Sequence, residues 1–394
     1  MSWRKAFIGE CTTLVSRGKT PKYGESDNVR AVKSAQVYPK RIKWEQCPSL
    51  SNEFVLKCNE KFYLKEGDVL LNGTGTGTLG RPGIVLNKPI GEFVPDSHVT
   101  LIRPNAKLAS KFLFYWLLSP YGKIVINKSY TGSTNQIELS ASRVAKFKIP
   151  LPPLPEQKRI ANILDKADQV RQLNQQVLAQ YDALTQSLFL DMFGDPVVNP
   201  MSWERVKLDN ILEFLTSGSR GWAKYYSMSG SIFLRIQNIG YNKLKLDDLT
   251  YVNAPESAET KRTLVQTGDV LLSITADLGR TAVIPDNFPI ANINQHLALL
   301  RIKKSFNPAF VSSYIASKGG QSFFRKLDKG GVKAGLNFSD IRSYKLFNVP
   351  EDLQNQFAQK VKNIEAQKAK AQAALAASED LFNNLLQKAF KGEL

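Results

Sequence analysis

The chain has 394 residues, 43% of them hydrophobic, with a formal net charge of +18. That length holds two domains of ordinary size plus extensions, and the apolar share is enough for real cores. The longest apolar run, Phe112 to Leu118, is too short to span a bilayer, and the start Met1-Ser2-Trp3-Arg4-Lys5 lacks the apolar stretch of a signal peptide. Three cysteines (Cys11, Cys47, Cys58) without a CxxC pair, beside only two histidines, argue against a structural zinc site. The expectation is a cytoplasmic, reduced protein with no metal and no membrane partner.

In chain order, residues 1–150 alternate short β-like runs with turns: Val29–Val32, Phe54–Leu56, Asp68–Leu71, Ile84–Leu86, Val99–Ile102 and Phe147–Ile149, with a helix over Lys111–Leu118. Many short strands with one or two helices predict an α+β unit. Pro150-Leu151-Pro152-Pro153-Leu154-Pro155-Glu156-Gln157 then forms a stiff entry into a long segment with no proline or glycine between Glu156 and Gly194. Apolar residues recur there at Ile160, Ile163, Ala167, Val170, Val177, Tyr181, Leu184 and Leu188, with Asn174 in the one polar slot. Steps alternating three and four over about four heptads predict a coiled-coil helix. Roughly 35 residues at ~1.5 Å each make it ~50 Å long.

The second half repeats the plan: Ile232–Ile236, Val270–Ile274, Ala282–Ile284, Leu297–Ile302, a helix around Ala309–Ala316, and Tyr344–Val349. A second seam follows from Leu353 to Ala389, through Phe357, Val361, Ile364, Lys368, Ala371, Leu375, Ser378, Phe382, Leu385 and Ala389. Particular residues also correspond at an offset of about 200, the sign of a duplication. Trp3 matches Trp203, and Ser16-Arg17-Gly18 falls on Thr216-Ser217-Gly218. Gly67-Asp68-Val69-Leu70-Leu71 recurs as Gly268-Asp269-Val270-Leu271-Leu272, and Leu79-Gly80-Arg81 as Leu278-Gly279-Arg280. His98 and His296 also match, each followed by a short apolar strand and an arginine. The expected layout is globular unit 1–150, long helix 151–195, globular unit 196–350 and long helix 351–394.

The positive charge is local. Residues 1–150 carry 23 Lys and Arg against 11 Asp and Glu, and residues 201–350 carry 20 against 12, while 151–200 have 4 against 6. Basic units beside near-neutral helices favour a polyanion, nucleic acid first. Three kinds of loop offer contacts. The first interleaves cations and aromatics: Arg17, Lys19, Lys22 and Tyr23, with counterparts Arg220, Trp222, Lys224 and Tyr225, which can grip phosphate and set rings against bases. The second, Asn72 to Arg81, presents Thr74, Thr76 and Arg81, with Arg280 in its counterpart. The third carries Lys128, Tyr130, Ser133 and Asn135, answered by Lys329 and Lys333. Lys33 and Gln36, matching Arg235 and Asn238, add side chains able to pair with base edges.

No active site emerges. The alternating glycines of residues 73–77 lack the Gly-Lys-Ser/Thr of a nucleotide-binding loop, and the second copy keeps only Leu-Gly-Arg. Asn307-Pro308-Ala309-Phe310 lacks the second proline of an amino-methyltransferase motif, and Pro308 reads as a helix start. Neither histidine has a triad pattern around it.

Two basic units, each followed by a long helix, with Leu-Pro-Pro-Leu-Pro-Glu-Gln entering the first helix and Phe193-Gly194-Asp195-Pro196 closing it, resemble the specificity subunit of type I restriction-modification systems. The likeness covers the whole chain. Val349-Pro350-Glu351-Asp352-Leu353-Gln354 departs from it by lacking the double proline. The resemblance implies an α+β fold of two similar target-recognition domains, separated by two long antiparallel coiled-coil helices in a pseudo-twofold repeat. It implies that the chain reads a bipartite double-stranded DNA sequence and docks two modification (methyltransferase) and two restriction (ATP-dependent translocase/nuclease) subunits. S-adenosylmethionine, ATP and Mg would sit on those partners, with no cofactor and no catalysis here. The alternatives from the residues are a self-contained DNA methyltransferase or nuclease, and a helical scaffold with non-specific nucleic-acid binding.

Overall fold

A computed structural model describes residues 3–26, 28–133, 137–327 and 335–394. The chain divides into two compact units, one of Met1–Gln175 with Ala373–Leu394 and one of Gln176–Gln372.

The first unit is built on a four-stranded antiparallel sheet in the order Thr12–Arg17, Val99–Pro104, Val69–Asn72, Pro82–Ile84. Its central strands are apolar without alternation because both faces are covered. Val69, Leu71 and Ile102 face a core with Phe112, Trp116 and Phe147, while Leu70, Val99 and Leu101 face a second core with Val32, Val37 and Phe93. Strand side chains point alternately to opposite faces, so one run serves two cores. A parallel pair, Val29–Val32 with Glu92–Pro95, lies on the second-core side. The second unit repeats this with Leu212–Ser217, Leu297–Ile302, Val270–Ser273, Thr281–Val283, and the parallel pair Ser231–Leu234 with Ala291–Ile293.

The duplicated framework residues now have reasons. The Arg103 guanidinium donates from Nε and Nη2 to the buried Asp68 carboxylate at 2.8 and 2.7 Å, and Arg301 does the same to Asp269 at 2.8 Å for both. Each aspartate also accepts from the backbone three residues before it, Lys65 and Gln266, closing the turn in which Gly67 and Gly268 take φ +85° and +83°. A positive φ is the reason both positions are glycine.

The long helices run Leu154–Phe193 and Glu351–Lys391, 40 and 41 residues, about 60 Å each at ~1.5 Å per residue. Gly194, at φ +79°, ends the first. Gln157 explains the entry motif. Fully buried, its Oε1 accepts from Ala109 N at 2.8 Å and its Nε2 donates to Lys107 O and Pro152 O. Gln354 repeats two of these bonds, with Asn307 N and Val349 O, so the second entry is anchored in a similar way without the double proline.

Within each unit the helices pair antiparallel. In the first, Arg159 donates to Leu394 O and Asn174 Nδ2 to Ser378 Oγ. In the second, Lys368 pairs with Asp182 at 2.5 Å, and Phe357 packs edge-on against Phe189 and Phe193. The seam of the first helix differs from the sequence reading. Ile160 is buried and Ile163 half-buried, but Val170, Val177 and Leu184 are 48%, 37% and 46% exposed. The packed side instead passes through Leu164, Ala167, Arg171, Asn174, Leu178, Tyr181, Thr185 and Phe189. Arg171 takes a seam position because its guanidinium pairs with Asp168 at 2.6 Å and lies 5.3 Å from the Phe382 ring. On the second helix Phe357 is buried, and Val361, Ile364, Leu375 and Leu385 are half-buried.

One predicted strand is a helix: Asn52–Leu56 turns because Ser51 Oγ accepts from Phe54 N and caps it.

Candidate nucleic-acid interface

In each unit a tight turn joins the parallel pair to the central strand, and the candidate loops gather on it. In the first unit it is Asp96-Ser97-His98-Val99: Val99 N donates to Asp96 O at 3.1 Å and His98 N to Asp96 Oδ1 at 2.9 Å. In the second it is Asn294-Gln295-His296-Leu297, with Leu297 N to Asn294 O at 3.1 Å and His296 N to Asn294 Oδ1 at 3.1 Å. Burial pushes the Asp96 carboxyl above the usual range, against the lowering effect of the hydrogen bond from His98 N and the His98 and Lys33 charges.

The first loop runs against this turn. Gly18 N donates to Val99 O, and a methyl group on Gly18 would collide with the Pro95 carbonyl; one on Gly218 would collide with the Ile293 carbonyl. Only glycine permits so close a backbone approach. The second loop meets the turn through Gly73 N to His98 O and Ile274 N to His296 O, at 2.8 and 3.0 Å. Thr74 Oγ1 lies 2.9 Å from His98 Nδ1, and Thr275 Oγ1 lies 2.7 Å from His296 Nδ1. The third loop returns to the second, with Leu139 N donating to Gly73 O and Leu336 N to Ile274 O. Three segments far apart in sequence thus form one surface in each unit.

Several candidate side chains serve the framework instead. Arg17 pairs with Glu138 and donates to Gly73 O and Leu139 O, tying all three loops together. Gln36 and Asn238 are buried, their side-chain oxygens accepting from Lys33 N and Arg235 N. Asn238 Nδ2 also donates to the Lys245 and Asp248 carbonyls. Trp222 is buried with its ring stacked 4.9 Å from Phe233 and its Nε1 donating to Glu259, so it presents no face for a base. Arg81 donates to Ser34 O and lies 4.3 Å from the Tyr38 ring. Arg280 pairs with Asp277, and Arg235 with Asp248.

The others are at the surface. Lys19, Lys22, Tyr23, Thr76, Lys128, Tyr130 and Ser133 are exposed in the first unit, and Thr74 is half-buried. Lys33 is half-buried, with its ammonium 5.2 Å from the Tyr23 ring. In the second unit Arg220 and Lys224 are exposed, and the Lys224 ammonium lies 4.9 Å from the half-buried Tyr225 ring. Asn135, Lys329 and Lys333 lie outside the described residues. Sequence reasoning missed Ser97, Gln295 and Arg262. Arg262 closes the first loop of the second unit, donating to Ser217 O at 2.6 Å and to Thr216 Oγ1. The one signal for Gln295 was its place beside a duplicated histidine.

Among the described residues no group of three His, Cys, Asp or Glu is placed to hold a metal ion, and no helix is long and apolar enough to cross a membrane.

Residues 2–180 match the model of the type I restriction modification DNA specificity domain. The chain is 23% identical over 413 residues to the type I restriction enzyme EcoBI specificity subunit of Escherichia coli, covering 90% of this chain and 86% of that protein. It is 26% identical over 289 residues to the MjaVIII specificity subunit of Methanocaldococcus jannaschii, covering 69% and 63%. In fold it is similar to the crystal structure of a type I restriction-modification S subunit from M. genitalium, with a TM-score of 0.60 at 15% identity over 99% of this chain and 96% of that one. The duplicated framework and the paired long helices thus accompany a match over residues 2–180 to the type I restriction modification DNA specificity domain, and a similarity over most of the chain to specificity subunits of type I restriction enzymes.

Proposed function

We propose that residues 1–150 and 196–350 act as two target-recognition domains, each reading one half of a bipartite double-stranded DNA sequence. The helical segments 151–195 and 351–394 set the gap between the halves. They also dock two methyltransferase subunits and two ATP-dependent restriction subunits, which carry S-adenosylmethionine, ATP and Mg. The place of action is the cytoplasm. The observation that carries the reading is the same three-loop surface built twice on one framework, with different exposed side chains in the two copies. Two readers of different sequences need a shared scaffold and divergent contacts. The exposed Lys19, Lys22, Lys128, Arg220 and Lys224 would take phosphates. Thr74, Thr76, Tyr23, Tyr130 and Ser133 would approach sugars and bases.

Co-expression with the partner methyltransferase, followed by methylation-sensitive sequencing of the host DNA, tests this. The expected result is a methylated adenine in a two-part motif with a fixed gap. Exchanging residues 1–150 for a relative's unit then changes one half alone. A stable complex that leaves no such motif would replace the reading with a scaffold that binds nucleic acid without preference.

A further inference from the structure

The two turns that gather the loops make the same hydrogen bonds, with Asn294 and Leu297 in place of Asp96 and Val99, and they present different residues at the second position. That position holds Ser97 in the first unit and Gln295 in the second. Both turns hold a histidine at the next position, its Nδ1 against a threonine hydroxyl from the second loop. In the second unit the ring has one more contact: Gln295 Nε2 lies 3.0 Å from His296 Nε2. An amide nitrogen only donates, so Nε2 is the acceptor in this contact. A neutral imidazole then carries its proton on Nδ1 and donates it to Thr275 Oγ1 at 2.7 Å. The chain from Gln295 through His296 to Thr275 is complete in one tautomer, and it fixes the glutamine amide. One amide N–H is used on the ring. Oε1 and the other N–H make no further hydrogen bond among the described residues, and Gln295 is half-buried at the surface where the loops meet.

An acceptor and a donor side by side on a rigid amide match adenine, which offers N6–H and accepts at N7 in the major groove. Ordinarily a glutamine loses rotamer freedom when it binds; here the ring has already removed much of it. The first unit has no such arrangement, because the Ser97 hydroxyl is short and His98 Nδ1 meets Thr74 alone. We infer that Gln295 reads an adenine in the half-site bound by the second unit, and that His296 is the positioning residue that holds its amide. This rests on the proposal that each unit reads one half of the DNA target.

The experiment uses the full chain with its methyltransferase partner and duplexes carrying its mapped motif, each base pair changed in turn. Gln295→Ala is expected to weaken binding roughly 5- to 150-fold and to remove discrimination at one A·T position of the second half, leaving the first half untouched. Replacing that adenine with 7-deazaadenine, which lacks N7, should weaken the wild type and leave the variant unchanged. His296→Ala should lose part of the same discrimination, and His296→Gln, which restores an acceptor, should regain some of it. Unchanged melting of each variant separates these effects from misfolding. A wild-type complex with no preferred sequence overturns the underlying reading. A selective wild type whose base preferences all survive Gln295→Ala overturns this inference alone.

Discussion

Asp68 and Arg103 face each other across the central strands of the first sheet in a two-pronged ion pair, the aspartate buried, and Asp269 and Arg301 repeat it in the second unit. Removing one partner leaves the other as an uncompensated charge in a poorly hydrated place. Asp68→Ala is therefore expected to destabilise the first unit by about 3–5 kcal/mol. Adding Arg103→Leu should recover part of that, as followed by chemical denaturation; a single variant as stable as wild type would refute the role.

Gln157 makes three hydrogen bonds with backbone groups on two sides of the helix entry. Gln157→Leu fills similar volume but strands one N–H and two carbonyls. At about 1–3 kcal/mol per stranded group, partly relieved by relaxation, a loss of roughly 2–4 kcal/mol is expected. Hydrogen exchange should quicken first at Ala109 and in the opening turns of the helix.

The register of the first long helix is open to direct test. Val170, Val177 and Leu184 face outward, so each change to Ser should alter stability by no more than about 0.5 kcal/mol. Leu164 is fully buried, and Leu164→Ala should cost about 2–5 kcal/mol. Equal losses at Val177 and Leu164 would restore the seam read from apolarity alone.

Alkali should unfold the protein by a defined route. Burial pushes the Cys47 thiol from its ordinary 9.0 up to about 12. It also raises the Tyr314 hydroxyl from 10.0 to about 12, and Tyr344 well above its ordinary value. These groups are held in their neutral forms, so their contribution is fully present below the ordinary values. It is lost as the pH climbs from about 9 through 12. Denaturation midpoints measured from pH 7 to 11 should be flat at first and fall above about pH 9. Cys47→Ser and Tyr314→Phe should each flatten the fall.

Lys22 and Lys128 are exposed cations on two of the three loops. If they meet phosphates, Lys22→Ala and Lys128→Ala should each reduce the slope of log affinity against log salt by about one, with the preferred sequence unchanged. An altered sequence preference would instead make them base readers.

What the sequence determined by itself is whatever depends on local pattern. Prolines before Gln157, a glycine at 194 and nothing between them to break a helix dictate one long helix. Gly-Asp-Val-Leu-Leu written twice dictates one sheet plan used twice. The tertiary structure alone decided how side chains were allotted. Trp222, Gln36, Asn238 and Arg81 look like ligands for DNA in a linear reading, because their type and spacing say nothing of Phe233, Lys33, Lys245 or Ser34 waiting beside them. Arg171 enters a seam that polarity would forbid because Asp168 and Phe382 receive it. The convergence of residues 17–18 and 73–74 on the turn at 96–99, and of residues 138–139 on the loop at 73, was equally hidden, since the bonds that make it join residues 24 to 122 positions apart. Local pattern sets which elements form; the partners that satisfy a polar group come from wherever the chain has returned, and they settle which groups are left at the surface.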